Sequence, residues 1–499
     1  MASLPYRLKK PSPDEKSVAS PSRSTNHPDS THQPVLPFLP DEIWDHIFSF
    51  MQATYPNPIG YHPWKVKESL LVKSKKSVVL LAKFCRTSKR FHRLATPRLY
   101  NQPPLWGSVQ NTWIGQHWNR EFFRAISQQP DRAQCVKEAR LGFRQTDAPY
   151  VWKTFQNVLG GLSQPSDIVT RMATVFREGI TRPTHRAIWD AETAFYVLLI
   201  PRVKRLELGV SEKHLLVLAL LMLPPLYVLC NGLLPIKPIS PLGPPLTCLK
   251  VLHVKSLSTT NRLVDIRRLS LCLKIPTLES FIATNVVWDG PPDSDFPETN
   301  QNLKTIHIHS SHLHDLAFRY MLSQFPNLQS LKVEGGAIRG GPPGGNFNYL
   351  GGLLRSHGRK LECLEFNNKF TMNYRVIGTL QQLEQLKTLN IAYCTLFTGW
   401  DEFSKPSLCT VLPFQLKHLH LHSLRGDQDQ QEEVVRELLL DERFLALDVL
   451  VVEEFIPFTK DVTGLWVVRW SFPRLHRLPW TQFERIRGSP GLTTDSTSS

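Results

Sequence analysis

The sequence predicts an α/β repeat protein: a small helical module, then a solenoid whose parallel strands form a curved sheet with helices on its outer face. Three observations carry that expectation. The pattern L-x-x-L-x-L, with apolar residues admitted at each slot, recurs through the last two thirds of the chain. A well-marked helix start leads into two adjacent apolar stripes in "LPDEIWDHIFSF", residues 39 to 50. Finally, 41% hydrophobic residues over 499 positions supply the surface for a large core.

The copies of the pattern begin at Val203, Leu226, Leu249, Leu278, Leu303, Leu328, Leu361, Leu386, Leu416 and Leu447, so they are 23 to 33 residues apart. Those starting at Leu226 and Leu278 are the weakest. The spacing sits at or slightly above the range of leucine-rich repeats. Each copy reads as one short strand with alternate side chains pointing into the stack, followed by a helical or irregular return. Residues 215 to 233, "LLVLALLMLPPLYVLCNGL", are long enough to span a bilayer, but Pro224 and Pro225 interrupt them. They read instead as a buried return helix ended by a proline, the order that "FPNL" at 325 to 328 repeats. "RGGPPGGNFNYLGG" at 339 to 352 lacks the spacing of a phosphate-binding loop and reads as a Gly/Pro insertion.

Five regions follow: a disordered tail over 1–34, a helical module over 35–101 with an insertion near 52–77, a connecting region over 102–200, the repeats over 201–480, and a second disordered tail over 481–499. Val136, Ala139 and Leu141 in the connecting region read as a degenerate capping repeat. The N-terminus has no apolar core of the signal-peptide kind. Eight cysteines stand without a CxxC pair or zinc-finger spacing, which reads as reduced, buried thiols in an intracellular protein.

The net charge of +16 is concentrated: Tyr61 to Tyr100 holds eleven Lys or Arg residues against Glu68 alone. A basic nucleic-acid scaffold is one reading of that stretch, but it lacks interleaved stacking aromatics. A solvated loop is the plainer reading of the insertion.

In "LPDEIWDHIFSFM", Pro40 precedes Asp41 and Glu42 at the helix start, where a missing N–H costs nothing and acids meet the positive end of the dipole. Ile43, Ile47 and Phe50 form one stripe; Trp44, Phe48 and Met51 form a second beside it. One short helix cannot bury both. This segment resembles the first helix of the F-box family, and "SVVLLAKFCRTSKRFHRLATPRLY" at 77 to 100 resembles its second and third helices. F-boxes followed by leucine-rich repeats resemble the F-box proteins of filamentous fungi. The resemblance implies a three-helix module that docks a Skp-type adaptor and, through it, the cullin of a ubiquitin ligase, the second stripe being what the adaptor covers. It nominates Leu39, Pro40, Ile43, Trp44, Ile47, Phe48, Leu81, Cys85 and Phe91 for adaptor contact or for the packing behind it. An F-box protein that acts outside a ligase is a further reading.

Strand residues flanking the inward leucines would face the concave surface: His253, Lys255, His307, His309, Lys332, Glu334, Glu365, Asn367, Asn390, His418, His420, His422 and Glu453. A polar, His-rich strip of this kind suits a protein substrate. The two histidine clusters lie four repeat steps apart, roughly 19 Å at about 4.8 Å per strand, and each lacks the fourth ligand of a closed zinc site. Neither a metal nor any other cofactor is therefore expected. Without a G-x-S-x-G, H-E-x-x-H, Walker or kinase signature, the expectation is a non-catalytic substrate receptor, cytoplasmic or nuclear, with no membrane contact.

Overall fold

The computed structural model describes residues 39–51, 68–101, 113–141, 148–159, 173–174, 177, 186–210, 246–256, 264–265, 272–273, 275–288, 300–334, 338–339, 348–367, 377–397, 407–422, 428–453, 466–471 and 480–485. Over these residues the protein is mixed α/β, with a large, mostly parallel sheet of twelve strands and accompanying helices. This arrangement is compatible with a solenoid.

The main sheet is built from the recurrent pattern. Its strands are β1 (Glu138–Leu141), β2 (Arg205–Val210), β3 (Val251–Ser256), β5 (Ser280–Thr284), β7 (Thr305–His309), β9 (Ser330–Glu334), β11 (Cys363–Asn367), β12 (Thr388–Ala392), β13 (His418–His422) and β14 (Val449–Glu453). All are parallel and paired in that order. The middle apolar slot runs straight across them: Leu206, Leu252, Phe281, Ile306, Leu331, Leu364, Leu389, Leu419 and Leu450 are register partners in succession. Every one is buried. A one-residue slip would turn this whole row to the opposite face, so the pattern itself holds the register. The ladder also extends one residue upstream, as Lys250 N–H donates to Lys204 O at 2.8 Å and Glu279 N–H to Lys250 O at 2.8 Å.

Four short parallel strands form a second sheet: β4 (Val264–Asp265), β6 (Val286–Trp288), β8 (His312–His314) and β10 (Ile338–Arg339). The sequence pattern did not announce it. Asn285 and Ser310, at φ 56° and 50°, turn the chain between β5 and β6 and between β7 and β8. The Asn285 N–H donates to His309 O at 3.0 Å and the Ser310 N–H to Glu334 O at 2.7 Å.

The main sheet ends in an antiparallel hairpin, β15 (Trp466–Ser471) and β16 (Trp480–Arg485), with β16 seated against β14. β16 extends ordered structure to Arg485, past the expected start of the tail at 481. β2 pairs directly with β3, so within this sheet no strand intervenes between them; the copy at 226 and the apolar run 215–233 lie outside the described residues. Among the described residues, no helix is long and apolar enough to cross a membrane.

The helices are α1 (Asp41–Met51), α2 (Glu68–Thr87), α3 (Lys89–Asn101), α4 (Trp113–Gln128), α5 (Pro130–Cys135), α6 (Ala148–Leu159), α7 (Arg186–Leu199), α8 (Asp315–Gln324), α9 (Asn348–His357) and α10 (Gln428–Leu440). α2 begins at Glu68, so the last part of the expected insertion over 52–77 is helical. α9 likewise absorbs "NYLGG" from the expected Gly/Pro loop. One continuous core runs from Phe123 on α4 to Phe483 on β16, taking in Val136, Ala139 and Leu141 at its first strand. A separate small core, formed by Phe48, Leu81 and Ala95, lies within α1, α2 and α3.

Candidate functional site

The first candidate surface is α1. Trp44, Met51, Phe84, Cys85, Phe91, Leu94 and Leu99 pack around Phe48, Leu81 and Ala95. Ring centroids lie 4.7 Å apart for Trp44 and Phe91 and 5.2 Å apart for Phe48 and Phe84, both edge-to-face. The nominated set therefore divides. Trp44, Phe48, Leu81, Cys85 and Phe91 form or flank the module's own core, whereas Leu39, Pro40 and Ile43 are exposed and Ile47 is half-buried. Of the two stripes, Trp44, Phe48 and Met51 face inward. This reverses the expectation that the second stripe is the one left for a partner. The reason is aromatic volume: three large side chains at one helical face fill the gap between α2 and α3 that smaller residues would leave open. The outward row is Leu39, Ile43 and Phe50, respectively 42%, 46% and 77% exposed, and Leu80 on α2 is 44% exposed.

Charge holds that row in place. Arg90 Nε and Arg93 Nη2 each lie 2.5 Å from a carboxylate oxygen of Asp41, and Arg98 Nη2 lies 2.6 Å from Asp45. Arg90 also donates to the Leu39 carbonyl at 2.6 Å. The hydrogen bond from Arg90 holds the Asp41 carboxyl below its ordinary range. These three arginines belong to the basic stretch, and they are engaged in fastening α1 to α3.

The second candidate surface is the polar strip across the main sheet. Parallel pairing puts Glu207, His253, Ile282, His307, Lys332, Glu365, Asn390 and His420 in one cross-strand row. A neighbouring row contains Lys255, Thr284, His309, Glu334 and Asn367. Much of the strip satisfies itself. His253 Nε2 is 3.0 Å from Thr284 Oγ1, while Nδ1 is 3.8 Å from Glu207, which in turn meets Arg140 Nε at 3.2 Å. Lys332 pairs with Glu365, whose Oε1 also accepts from Cys363 Sγ at 3.6 Å.

Of the strip expected to face the concave surface, His253, His307 and His422 are buried. Burial pushes the His253 imidazole down to about 4 and lowers Lys255. His418 is exposed at the start of β13, and Lys255, His309, Lys332, Glu334, Glu365 and His420 are half-buried.

Two carboxylates join the histidine clusters. Glu334 Oε2 lies 3.0 Å from His309 Nδ1 and Oε1 lies 3.2 Å from His307 Nε2. Glu453 Oε2 lies 2.9 Å from His422 Nδ1 and Oε1 lies 3.6 Å from His420 Nε2. In the sequence each cluster is a pair of histidines alone, and strand register brings the glutamate of the next strand to them. The imidazoles of His307 and His309, set beside its two oxygens, hold the Glu334 carboxyl well below the usual carboxylate range.

All six described cysteines are free; Cys272 and Cys409 are buried, and Cys85, Cys135, Cys248 and Cys363 are half-buried rather than fully enclosed. Burial pushes the Cys272 and Cys409 thiols up to about 12, which leaves them poor nucleophiles at neutral pH. Compared with known proteins, the chain matches no family model and no curated protein.

Proposed function

We propose that this protein is the substrate-receptor subunit of a Skp-cullin-F-box type ubiquitin ligase. In this reading α1 to α3 are the F-box, and the repeating strands are leucine-rich repeats that present the polar strip to a protein substrate. One observation carries the reading: a helical module with its own closed core still leaves Leu39, just before α1, and Ile43 and Phe50 on it exposed. Apolar side chains lined up in this way mark a surface that a partner covers. Asp41 and Asp45, tied to α3, keep the row rigid, which reduces the ordering cost of docking. Catalysis belongs to other subunits in this reading. The chain acts by proximity, raising the effective concentration of a substrate lysine beside a charged conjugating enzyme.

The test is co-purification of a Skp-type adaptor with the wild-type chain and with an Ile43→Asp, Phe50→Asp variant. Both substituted positions are exposed, so the module keeps its fold. Two anchors at about 2 kcal/mol each predict adaptor binding weakened roughly 100-fold or more. Equal capture by both chains, or none by the wild type, would remove the reading.

A further inference from the structure

The same constellation occurs twice on the main sheet. A strand carries histidines two residues apart on one face, and the next strand supplies a glutamate beside them: His307, His309 and Glu334, then His420, His422 and Glu453. In each cluster the ligand atoms all lie within 4.8 Å of one another. Zinc with bonds of about 2.0 to 2.2 Å separates tetrahedral ligand atoms by roughly 3.3 Å. The His307–Glu334 and His309–Glu334 separations, 3.2 and 3.0 Å, are close to that value.

Burial supplies an independent observation. The His307 side chain is only 5% exposed, and neither of its ring nitrogens makes a hydrogen bond of acceptable geometry, although Nε2 is directed at the glutamate. A buried imidazole that leaves both nitrogens unused is costly unless something binds them. His422, 3% exposed, repeats the situation at Nδ1, which has no hydrogen bond although Glu453 Oε2 is 2.9 Å away. Its other nitrogen, Nε2, meets Asn390 Oδ1. When that Nε2 donates and the ring is neutral, Nδ1 presents a lone pair to a carboxylate oxygen, and a cation bound between the two relieves the repulsion. Outer partners such as Asn390 commonly fix the ring orientation of a metal-binding histidine in this way.

We propose that each cluster binds one divalent transition-metal ion of the zinc class through two imidazoles and one carboxylate. Imidazole with carboxylate suits zinc, copper and nickel better than calcium or magnesium. Three protein ligands leave one position open, and His309 and Glu334, 44% and 30% exposed, place the first cluster at the solvent boundary of the strip. The open position is where a donor group of a bound partner would enter. The two ions would be separate, because β7 and β13 stand four strand steps apart in the sheet.

The experiment uses the untagged full chain, stripped with chelator and titrated calorimetrically with Zn²⁺, with Co²⁺ absorption as a second readout of coordination. Glu334→Gln and Glu453→Gln keep side-chain shape while removing one charged ligand, and far-UV circular dichroism checks that each variant remains folded. The wild type is expected to take up two equivalents. Each single variant is expected to lose one of them, or to bind it at least about 10-fold more weakly, and the double variant to lose both. Absence of uptake by the wild type, or a double variant that titrates like the wild type, overturns the proposal. An equivalent that only one variant removes sustains the site at that cluster and overturns it at the other.

Discussion

Two adjacent glycines on α9 show how far a single methyl group matters. A Cβ at Gly351 would lie 1.8 Å from the Ile377 carbonyl oxygen, and that backbone is anchored by the Ile377 N–H donating to Thr395 O at 2.7 Å. Gly351→Ala is therefore expected to destabilise by about 1 to 3 kcal/mol through overpacking. A Cβ at Gly352 meets nothing nearer than Arg355 Nη2 at 4.0 Å, so Gly352→Ala is expected to stabilise by about 0.5 to 1 kcal/mol. Urea midpoints of the two variants give the comparison, and equal effects would contradict it. His253 makes the matching argument for charge. Its folded-state value of about 4 lies below the ordinary 6.5 because burial penalises the imidazolium. The unfolded chain therefore binds the proton first, and stability present above pH 6.5 is lost as pH falls toward 4. The shift corresponds to roughly 3 kcal/mol. Denaturation of wild type and His253→Gln at pH 7 and pH 4 should show the wild type losing about that much more. Parallel losses in both chains would locate the acid sensitivity elsewhere.

At the scale of elements, the hairpin of β15 and β16 closes the end of the sheet. β14 would otherwise present unpaired backbone donors and acceptors, the usual template for strand-to-strand aggregation. Phe483 of β16 is buried opposite Leu450 and secures that closure. Phe483→Asp would place an unpaired carboxylate in the core and release the hairpin. The variant should appear as high-mass species in light scattering while the wild type does not; a monodisperse variant would mean that β14 is protected by other means. At the opposite end, the L-x-x-L-x-L reading extended to β1 through Val136, Ala139 and Leu141 because alternation survives even where leucine does not. The four-stranded second sheet was not legible in this way. Strands of two or three residues are too short to show a period, and β6 and β8 are reached through left-handed turns at Asn285 and Ser310.

For the whole molecule, the two cores predict two separable units. They meet at the end of α3: Arg132 Nη1 donates to Tyr100 Oη at 3.2 Å, Lys137 N–H donates to Asn101 O at 3.0 Å, and the Tyr100 ring packs on the large core beside Phe122. A chain starting at Pro97 keeps that join and loses only the small core. Its sheet is expected to melt within about 2 °C of the full-length transition, roughly the shift that about 1 kcal/mol produces in a domain of this size. Loss of the cooperative transition would show that the sheet depends on α1 to α3.

What the sequence by itself determined is the parallel sheet and its register, because a leucine pattern with a period of two specifies both the buried face and the alignment of neighbours. It also determined α1, whose start is written in Pro40, Asp41 and Glu42. Only the tertiary structure decided which stripe of α1 is free, since both stripes are apolar and the choice turns on how Trp44 and Phe48 fit beside Phe84 and Phe91. It likewise decided the partners of the histidines. Glu334 lies 25 residues beyond His309, and only the return of the chain into the adjacent strand brings carboxylate and imidazole within 3.0 Å.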